Sequence, residues 1–269
     1  MRLAVRTASG AVLLGLLILA LWLGQPFFDA LVAILVGLGL WEYRRLWQGA
    51  GLSLDLLLLG GLTAFWLFRY AYPQVPQLAG PTAAVLAGLA LGLRRDPKDQ
   101  PWRCWAVAVG GAAWLGLCPS YLLLLYHSLP GGWTPVAVLL LTVGVGVIGD
   151  SLAYLVGSRF GRHPFMRRIS PSKTWEGAVA AVVAPTIAMG LLLPLALPGL
   201  SRGWAFGIGL AAAVAAVLGD LVESQLKRGL GVKDSGGLIP GHGGVLDRVD
   251  SLIFVGAVVY SLLGVAHAF

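Results

Sequence analysis

Apolar residues in this chain come in runs of about twenty, broken by short polar segments, rather than in stripes that recur every third or fourth position. A bilayer core of roughly 30 Å is crossed by about 20 apolar helical residues, so runs of this length predict membrane spans. Nine are expected, at 8–24, 26–42, 53–72, 78–93, 104–126, 134–157, 177–198, 203–222 and 251–268. The chain therefore reads as an all-α, polytopic integral membrane protein of about nine transmembrane helices. Residues 1–103 form an N-terminal group of four spans. Residues 104–269 form a C-terminal group of five, which carries the two long polar loops 158–176 and 223–250. Thirty-eight glycines fit this picture, because small residues let helices approach closely in lipid. The first run follows a basic start and has no small-residue cleavage site, so it reads as a retained span rather than a signal peptide.

The connections alternate in charge. Seventeen of the nineteen lysines and arginines fall on one side of the predicted membrane, leaving only Arg69 and Arg202 on the other. By the positive-inside rule the basic side is cytoplasmic, with the N-terminus inside and the C-terminus outside. Orientation thus accounts for the net charge of +7, and no nucleic-acid partner is needed to explain it. Trp22, Trp41, Trp102, Trp133 and Trp204 fall near span ends, as an aromatic belt requires, while Trp66 and Trp114 read as packing residues. Cys104 and Cys118 lie in one predicted helix, roughly 21 Å apart at 1.5 Å per residue, too far for a disulfide. No internal repeat supports an inverted-repeat transporter.

Polar chemistry concentrates between Asp220 and Asp250. Five carboxylates (Asp220, Glu223, Asp234, Asp247, Asp250) and four cations (Lys227, Arg228, Lys233, Arg248) share this stretch with seven glycines. Asp220, Ser224 and Lys227 lie on one helix face, and Asp247 and Asp250 share another at the start of the last span. Carboxylates from two neighbouring helix ends make a hard oxygen site of the kind Mg²⁺ prefers. The competing reading makes them cap residues paired with Lys227 and Arg248. Asp150 and Asp220 lie inside spans, where an acid is costly and marks function. The glycines around Lys233, Asp234 and His242-Gly243-Gly244 would let backbone N–H groups approach a phosphate, although glycines also make ordinary turns. His242 serves either as a base or as a donor to phosphate.

In the other polar loop, Ser170-Pro171-Ser172-Lys173-Thr174 leads into Glu176-Gly177 and an apolar run. Thr174 reads as a helix cap and Glu176 as a favourable charge near the dipole's positive end. Lys173 is unfavourable there unless a phosphate binds. Glu42, with Tyr43, Arg44 and Arg45, reads as an interface anchor. His127, His163 and His267 lack metal-ligand spacing. No nucleophilic Ser or Cys motif and no dinucleotide fingerprint is present.

The segment Ser224 to Asp250 resembles the signature of the phosphatidate cytidylyltransferases, also called CDP-diacylglycerol synthases. The matching positions are Ser224, Leu226, Lys227, Arg228, Lys233, Asp234, Gly236, Ile239, Pro240, His242, Gly243, Gly244, Asp247, Arg248, Val249 and Asp250. The preceding loop is similar to the family through Asp150, Ala153, Tyr154, Gly157, Ser170, Pro171, Lys173, Thr174, Glu176 and Gly177. The first four spans match only in being apolar.

The resemblance implies a magnesium-dependent reaction of CTP with phosphatidic acid that yields CDP-diacylglycerol and pyrophosphate. It places Mg²⁺, one ion or two, on Asp220, Asp247 and Asp250. It gives catalytic roles to Lys227, Arg228, Lys233, Asp234, His242 and Arg248, and substrate contacts to Ser170, Lys173, Thr174, Ser224, Gly243 and Gly244. Asp150, Glu176 and Glu223 are further candidates. A homodimer and a multi-pass location in the bacterial inner membrane are the family expectations. Alternatives are a CTP-dependent enzyme acting on another lipid phosphate or lipid alcohol, or the cation site of a transporter, for which groups clustered at one membrane face argue poorly.

Overall fold

The computed structural model describes residues 2–71, 79–241 and 243–268. Among the described residues ten α-helices follow one another: α1 Arg2–Leu23, α2 Gln25–Gly49, α3 Leu56–Leu67, α4 Ala79–Gly92, α5 Pro101–Ala112, α6 Cys118–Ser128, α7 Trp133–Phe160, α8 Trp175–Ala196, α9 Arg202–Gly229 and α10 Leu246–Val265. A π-helical segment, Ala113–Leu117, joins α5 to α6. Among the described residues there is no strand, only two isolated bridges, Pro164 with Thr174 and Ile239 with Gly243. The all-helical expectation is met.

Six helical stretches of the described residues are long and apolar enough to cross a membrane: Gln25–Gly49, Pro101–Ser128, Trp133–Phe160, Trp175–Ala196, Arg202–Gly229 and Leu246–Val265. The protein is a multi-helical membrane protein. Of the other expected spans, 8–24 and 53–72 overlap α1 and α3, whose apolar stretches Ala8–Leu23 and Leu58–Leu67 are shorter than those six, and 78–93 overlaps α4. Part of the boundary between the third and fourth expected spans, 72–78, lies outside the described residues.

Two boundaries move with a physical reason. Helix α9 runs past the expected span end at 222 to Gly229, as the shared face of Asp220, Ser224 and Lys227 requires, and Glu223 and Lys227 form an i,i+4 ion pair with Lys227 and Arg228 in its last turn. Helix α10 begins at Leu246 rather than 251, so Asp247 and Asp250 fall in its first turns.

The chain forms two compact units. One comprises Met1–Leu123 with Asp234–Leu246, and the other Leu124–Lys233 with Asp247–Phe269. In the first, Tyr43 of α2 is buried, donates its hydroxyl to the Val107 carbonyl at 3.0 Å, and meets Trp47 and Trp114 edge to face. Its ring lies against Gly111, where a Cβ would collide. Gly116, inside the π segment, sits against the Thr63 backbone of α3.

In the second unit, α8 packs along both α7 and α9. Association in lipid relies on close van der Waals contact, and the small residues are where it occurs. A Cβ on Gly149 of α7 would come within 3.2 Å of the Ala181 carbonyl of α8. One on Gly219 of α9 would come within 2.8 Å of the Asp250 carbonyl of α10. Large apolar side chains such as Leu155, Leu191, Leu195 and Leu210 face outward, as a helix bundle in an apolar solvent permits. Trp22, Trp102 and Trp133 are highly exposed at helix ends, and Trp204 is exposed in the first turn of α9, in keeping with an aromatic belt.

Candidate active site

Within the second unit, the C-terminal parts of α7 and α9, the loop before α8 and the start of α10 bring their charges together. Thr174 caps α8, its hydroxyl accepting from Gly177 N–H at 3.2 Å, so the helix-start reading of that residue holds. The loop ahead of it is folded back on itself: Phe165 N–H donates to the Lys173 carbonyl at 2.8 Å, Trp175 N–H to the His163 carbonyl at 2.9 Å, and the rings of Phe165 and Trp175 stack edge to face. Glu176 is engaged by His163, whose Nδ1 lies 2.7 Å from its carboxylate. Held in this way, Lys173 extends its ammonium to the carboxylate of Asp220 on α9. A lysine that is badly placed for its own helix dipole is thus satisfied by an acid from another helix.

One turn further along α9 a buried triad forms. Lys227 donates to Glu223 at 2.8 Å and to Asp247 of α10 at 2.5 Å, and all three side chains are almost wholly buried. Glu223 Oε1 is buried without a hydrogen-bond partner. Asp250, 8% exposed, lies within electrostatic reach of Asp220, Glu223 and Arg248. Asp150 of α7 faces Asp220 and Asp250, together with Lys173 and Arg248. Ser224 sits one turn from Asp220, its hydroxyl 3.5 Å from the carboxylate, at the outer limit of a hydrogen bond. Five carboxyl groups here face three cations, Lys173, Lys227 and Arg248.

Oxygen-only, acid-rich donors are the kind a hard divalent cation takes, so the donor set of Asp220, Asp247 and Asp250 fits such an ion in kind. Among the described residues no three His, Cys, Asp or Glu side chains converge closely enough to form a finished coordination site. Lysines hold two of the expected ligands: Lys173 engages Asp220 and Lys227 engages Asp247.

The remaining expected residues occupy different settings. Arg228 is exposed and its guanidinium donates to the Val232 carbonyl at 3.1 Å, closing the turn after α9. Lys233, Asp234 and Arg248 are exposed, and Ser170 is partly buried in the turn that precedes Lys173. His242 lies outside the described residues.

Segment 234–246 belongs to the first unit, where Glu42 of α2 holds it. Glu42 of α2 is 1% exposed, which corrects its reading as an interface anchor. Its carboxylate accepts from Val245 N–H at 3.0 Å, Leu246 N–H at 2.9 Å and the Ser235 hydroxyl at 3.2 Å. A carboxylate buried with three donors replaces the hydration that an interfacial anchor would have kept. The neighbouring Arg45 lies over Trp41, its guanidinium 4.8 Å from the ring centroid. Gly39, one turn before Glu42, faces the Leu246 side chain at 3.2 Å from where a Cβ would stand. The spacing of Gly39, Glu42 and Tyr43 on one face of α2 was the available signal for this, masked by the two arginines that follow.

The chain matches the model of the Cytidylyltransferase family over residues 4–266. It is 49% identical over 135 residues, 49% of its length, to phosphatidate cytidylyltransferase 5, chloroplastic, of Arabidopsis thaliana, a match that spans 33% of that protein. To the phosphatidate cytidylyltransferase of Mycobacterium leprae it is 34% identical over 222 residues, covering 77% of this chain and 69% of that one. To that of Mycobacterium tuberculosis strain H37Rv it is 32% identical over 256 residues, covering 89% and 76%. With its acid-rich, lysine-braced helix ends set beside a model match over almost its whole length, this chain belongs to the cytidylyltransferase family.

Proposed function

We propose that this protein transfers the cytidylyl group of CTP to phosphatidic acid, giving CDP-diacylglycerol and pyrophosphate. The observation that supports this best is the gathering of Asp150, Lys173, Asp220, Glu223, Lys227, Asp247, Arg248 and Asp250, from three helices and a loop, at one end of a membrane-helix unit. Two polyanions must meet there, which calls for cations to offset their repulsion and for acids to organise those cations. A phosphatidate oxygen attacks the α-phosphorus of CTP, and the bond from that phosphorus to the oxygen bridging to the β-phosphate breaks. Pyrophosphate leaves with the electron pair. The acceptor is ionised at neutral pH, so no general base is required.

Lys173 is the cation for the lipid phosphate, with Ser170 and Thr174 beside it in the chain. Arg228, Lys233 and Arg248 offset the charge of the triphosphate. Lys227, already neutralised by Glu223 and Asp247, keeps those two acids in place rather than meeting substrate directly. Asp220 and Asp250, with Asp247 as the third carboxylate, would hold Mg²⁺, and the ion when bound would supply charge stabilisation to the phosphates. The nine-span topology with a cytoplasmic N-terminus, a bacterial inner-membrane location and a homodimeric assembly complete the proposal. CTP then arrives from the cytoplasm and the lipid from within the bilayer.

The test is conversion of radiolabelled CTP and phosphatidic acid by the detergent-purified protein, with and without Mg²⁺, beside Asp250→Asn. Magnesium-dependent CDP-diacylglycerol that is lost in the variant is the expected result. Folded protein that makes no product from phosphatidic acid, but does so from another lipid phosphate or lipid alcohol, would redirect the assignment to that acceptor.

A further inference from the structure

The structure assigns to Glu42 the part of a positioning residue, a carboxylate on α2 that fixes the glycine-rich segment 235–245 and the first turn of α10. The assignment rests on the cytidylyl-transfer reading for its kinetic consequence, and on the geometry alone for its structural one.

Glu42 reaches residues nearly two hundred positions away in the chain, so the contact is tertiary and nothing local requires it. Its two backbone donors, Val245 and Leu246, stand at the start of α10, where N–H groups lack intrahelical partners. A carboxylate there satisfies them and meets the positive end of the helix dipole, in the manner of an N-cap supplied by another helix. The peptide bond after Leu246 leads directly to Asp247, and Arg248 and Asp250 follow. Whatever fixes Leu246 therefore fixes the register in which three charged side chains leave the helix start.

The glycines of the segment fit the same purpose. A Cβ on Gly236 would stand 2.5 Å from Glu42 Oε1, and one on Gly244 would stand 2.6 Å from the same atom while colliding with the Ser235 hydroxyl. Gly236 and Gly244 are thus small because the Glu42 carboxylate lies against them. Gly243, with φ +83°, makes the turn that returns Ile239 N–H to the Gly243 carbonyl at 2.9 Å. The Ser9 hydroxyl of α1 lies between two acceptors, the Val5 carbonyl of its own helix at 2.9 Å and the Pro240 carbonyl on the far side of the segment at 3.1 Å.

Loss of the charge should loosen the segment without unfolding the helices. Glu42→Gln keeps the volume but turns an amide N–H₂ toward donors. Two measurements read the result. Backbone hydrogen exchange over residues 235–250, followed by mass spectrometry in detergent, should speed up in the variant while peptides from α7 and α8 exchange as in the wild type. In the transfer assay the KM for CTP should rise by about ten-fold, the equivalent of one lost charge-assisted hydrogen bond, with the KM for phosphatidic acid within about two-fold. A merely structural role lowers the active fraction, hence apparent kcat, and leaves both KM values unmoved.

Unchanged exchange over 235–250 would overturn the assignment whatever the activity. Faster exchange with both KM values unmoved would reduce Glu42 to a structural residue and sink the positioning role. Should Glu42→Gln fail to fold, Ser235→Ala removes one of the three donors to the same carboxylate and is read in the same direction. A wild type that transfers no cytidylyl group defeats the functional reading alone, because the exchange comparison still decides whether Glu42 holds the segment.

Discussion

Lys227 of α9 donates to Asp247 of α10 at 2.5 Å, in a setting where each residue is less than a tenth exposed. Glu223 takes a second bond from the same ammonium. Replacing Lys227 by Met leaves two buried carboxylates without their counter-charge, and breaking a buried pair from one side costs about 3–5 kcal/mol. Lys227→Met should therefore lower the unfolding temperature in detergent markedly, and Lys227→Met with Glu223→Gln should recover part of the loss. A single variant as stable as the wild type would mean that the triad contributes nothing to holding α9 against α10.

Lys173 and Asp220 present the opposite balance. Their side chains are 28% and 31% exposed, and a pair so open to solvent contributes no more than about 1 kcal/mol. Lys173→Met is expected to leave thermal stability close to wild type while raising the KM for phosphatidic acid by about ten-fold. Steady-state kinetics at saturating CTP checks this. An unchanged KM would remove Lys173 from contact with the lipid phosphate.

How far these relationships could be read from sequence differs from residue to residue. Runs of apolar residues place the helices, since lipid imposes length and composition on every span. The grouping of Asp220 with Ser224 and of Asp247 with Asp250 follows from helical periodicity alone. What periodicity cannot supply is the partner across helices: Lys173 is misplaced at a helix start until Asp220 satisfies it, and Lys227 is one more basic residue of the stretch until Glu223 and Asp247 enclose it. Glu42 was the least legible residue, because its donors are separated from it by most of the chain and one of them is a side chain as ordinary as Ser235. The glycines beside it carry two physical meanings in sequence, a phosphate cradle or room for a neighbour, and at Gly236 and Gly244 the Glu42 carboxylate is such a neighbour.

Cation binding can be measured apart from turnover. Mn²⁺ titrated into the purified protein and followed by electron paramagnetic resonance reports free ion directly. If Asp220 and Asp250 are ligands, Asp220→Asn and Asp250→Asn should each weaken binding by about ten-fold or more, as loss of a carboxylate from a hard-ion site does. Ser224→Ala should leave it unchanged, since that hydroxyl only approaches Asp220 at 3.5 Å. Wild-type affinity in both aspartate variants would place the ion elsewhere.

The spacing between α9 and α10 offers a test in which the sign of the effect is decided by geometry. Alanine is favoured over glycine inside a helix by about 1 kcal/mol, so Gly→Ala on α9 should stabilise wherever there is room. Gly207 has room, with nothing within 4 Å of an added Cβ. Gly219 has none: the new atom would lie 2.8 Å from the Asp250 carbonyl and 3.1 Å from the Ser251 Cα, both backbone atoms that cannot rotate away. Forcing a methyl group into such a contact costs about 1–3 kcal/mol, more than the propensity gain. Gly219→Ala should therefore lower the unfolding temperature and, by moving α10, stretch the Lys227–Asp247 bond and reduce activity, while Gly207→Ala leaves the enzyme as stable or more so. Equal stabilisation by both substitutions would show that α10 does not rest on Gly219.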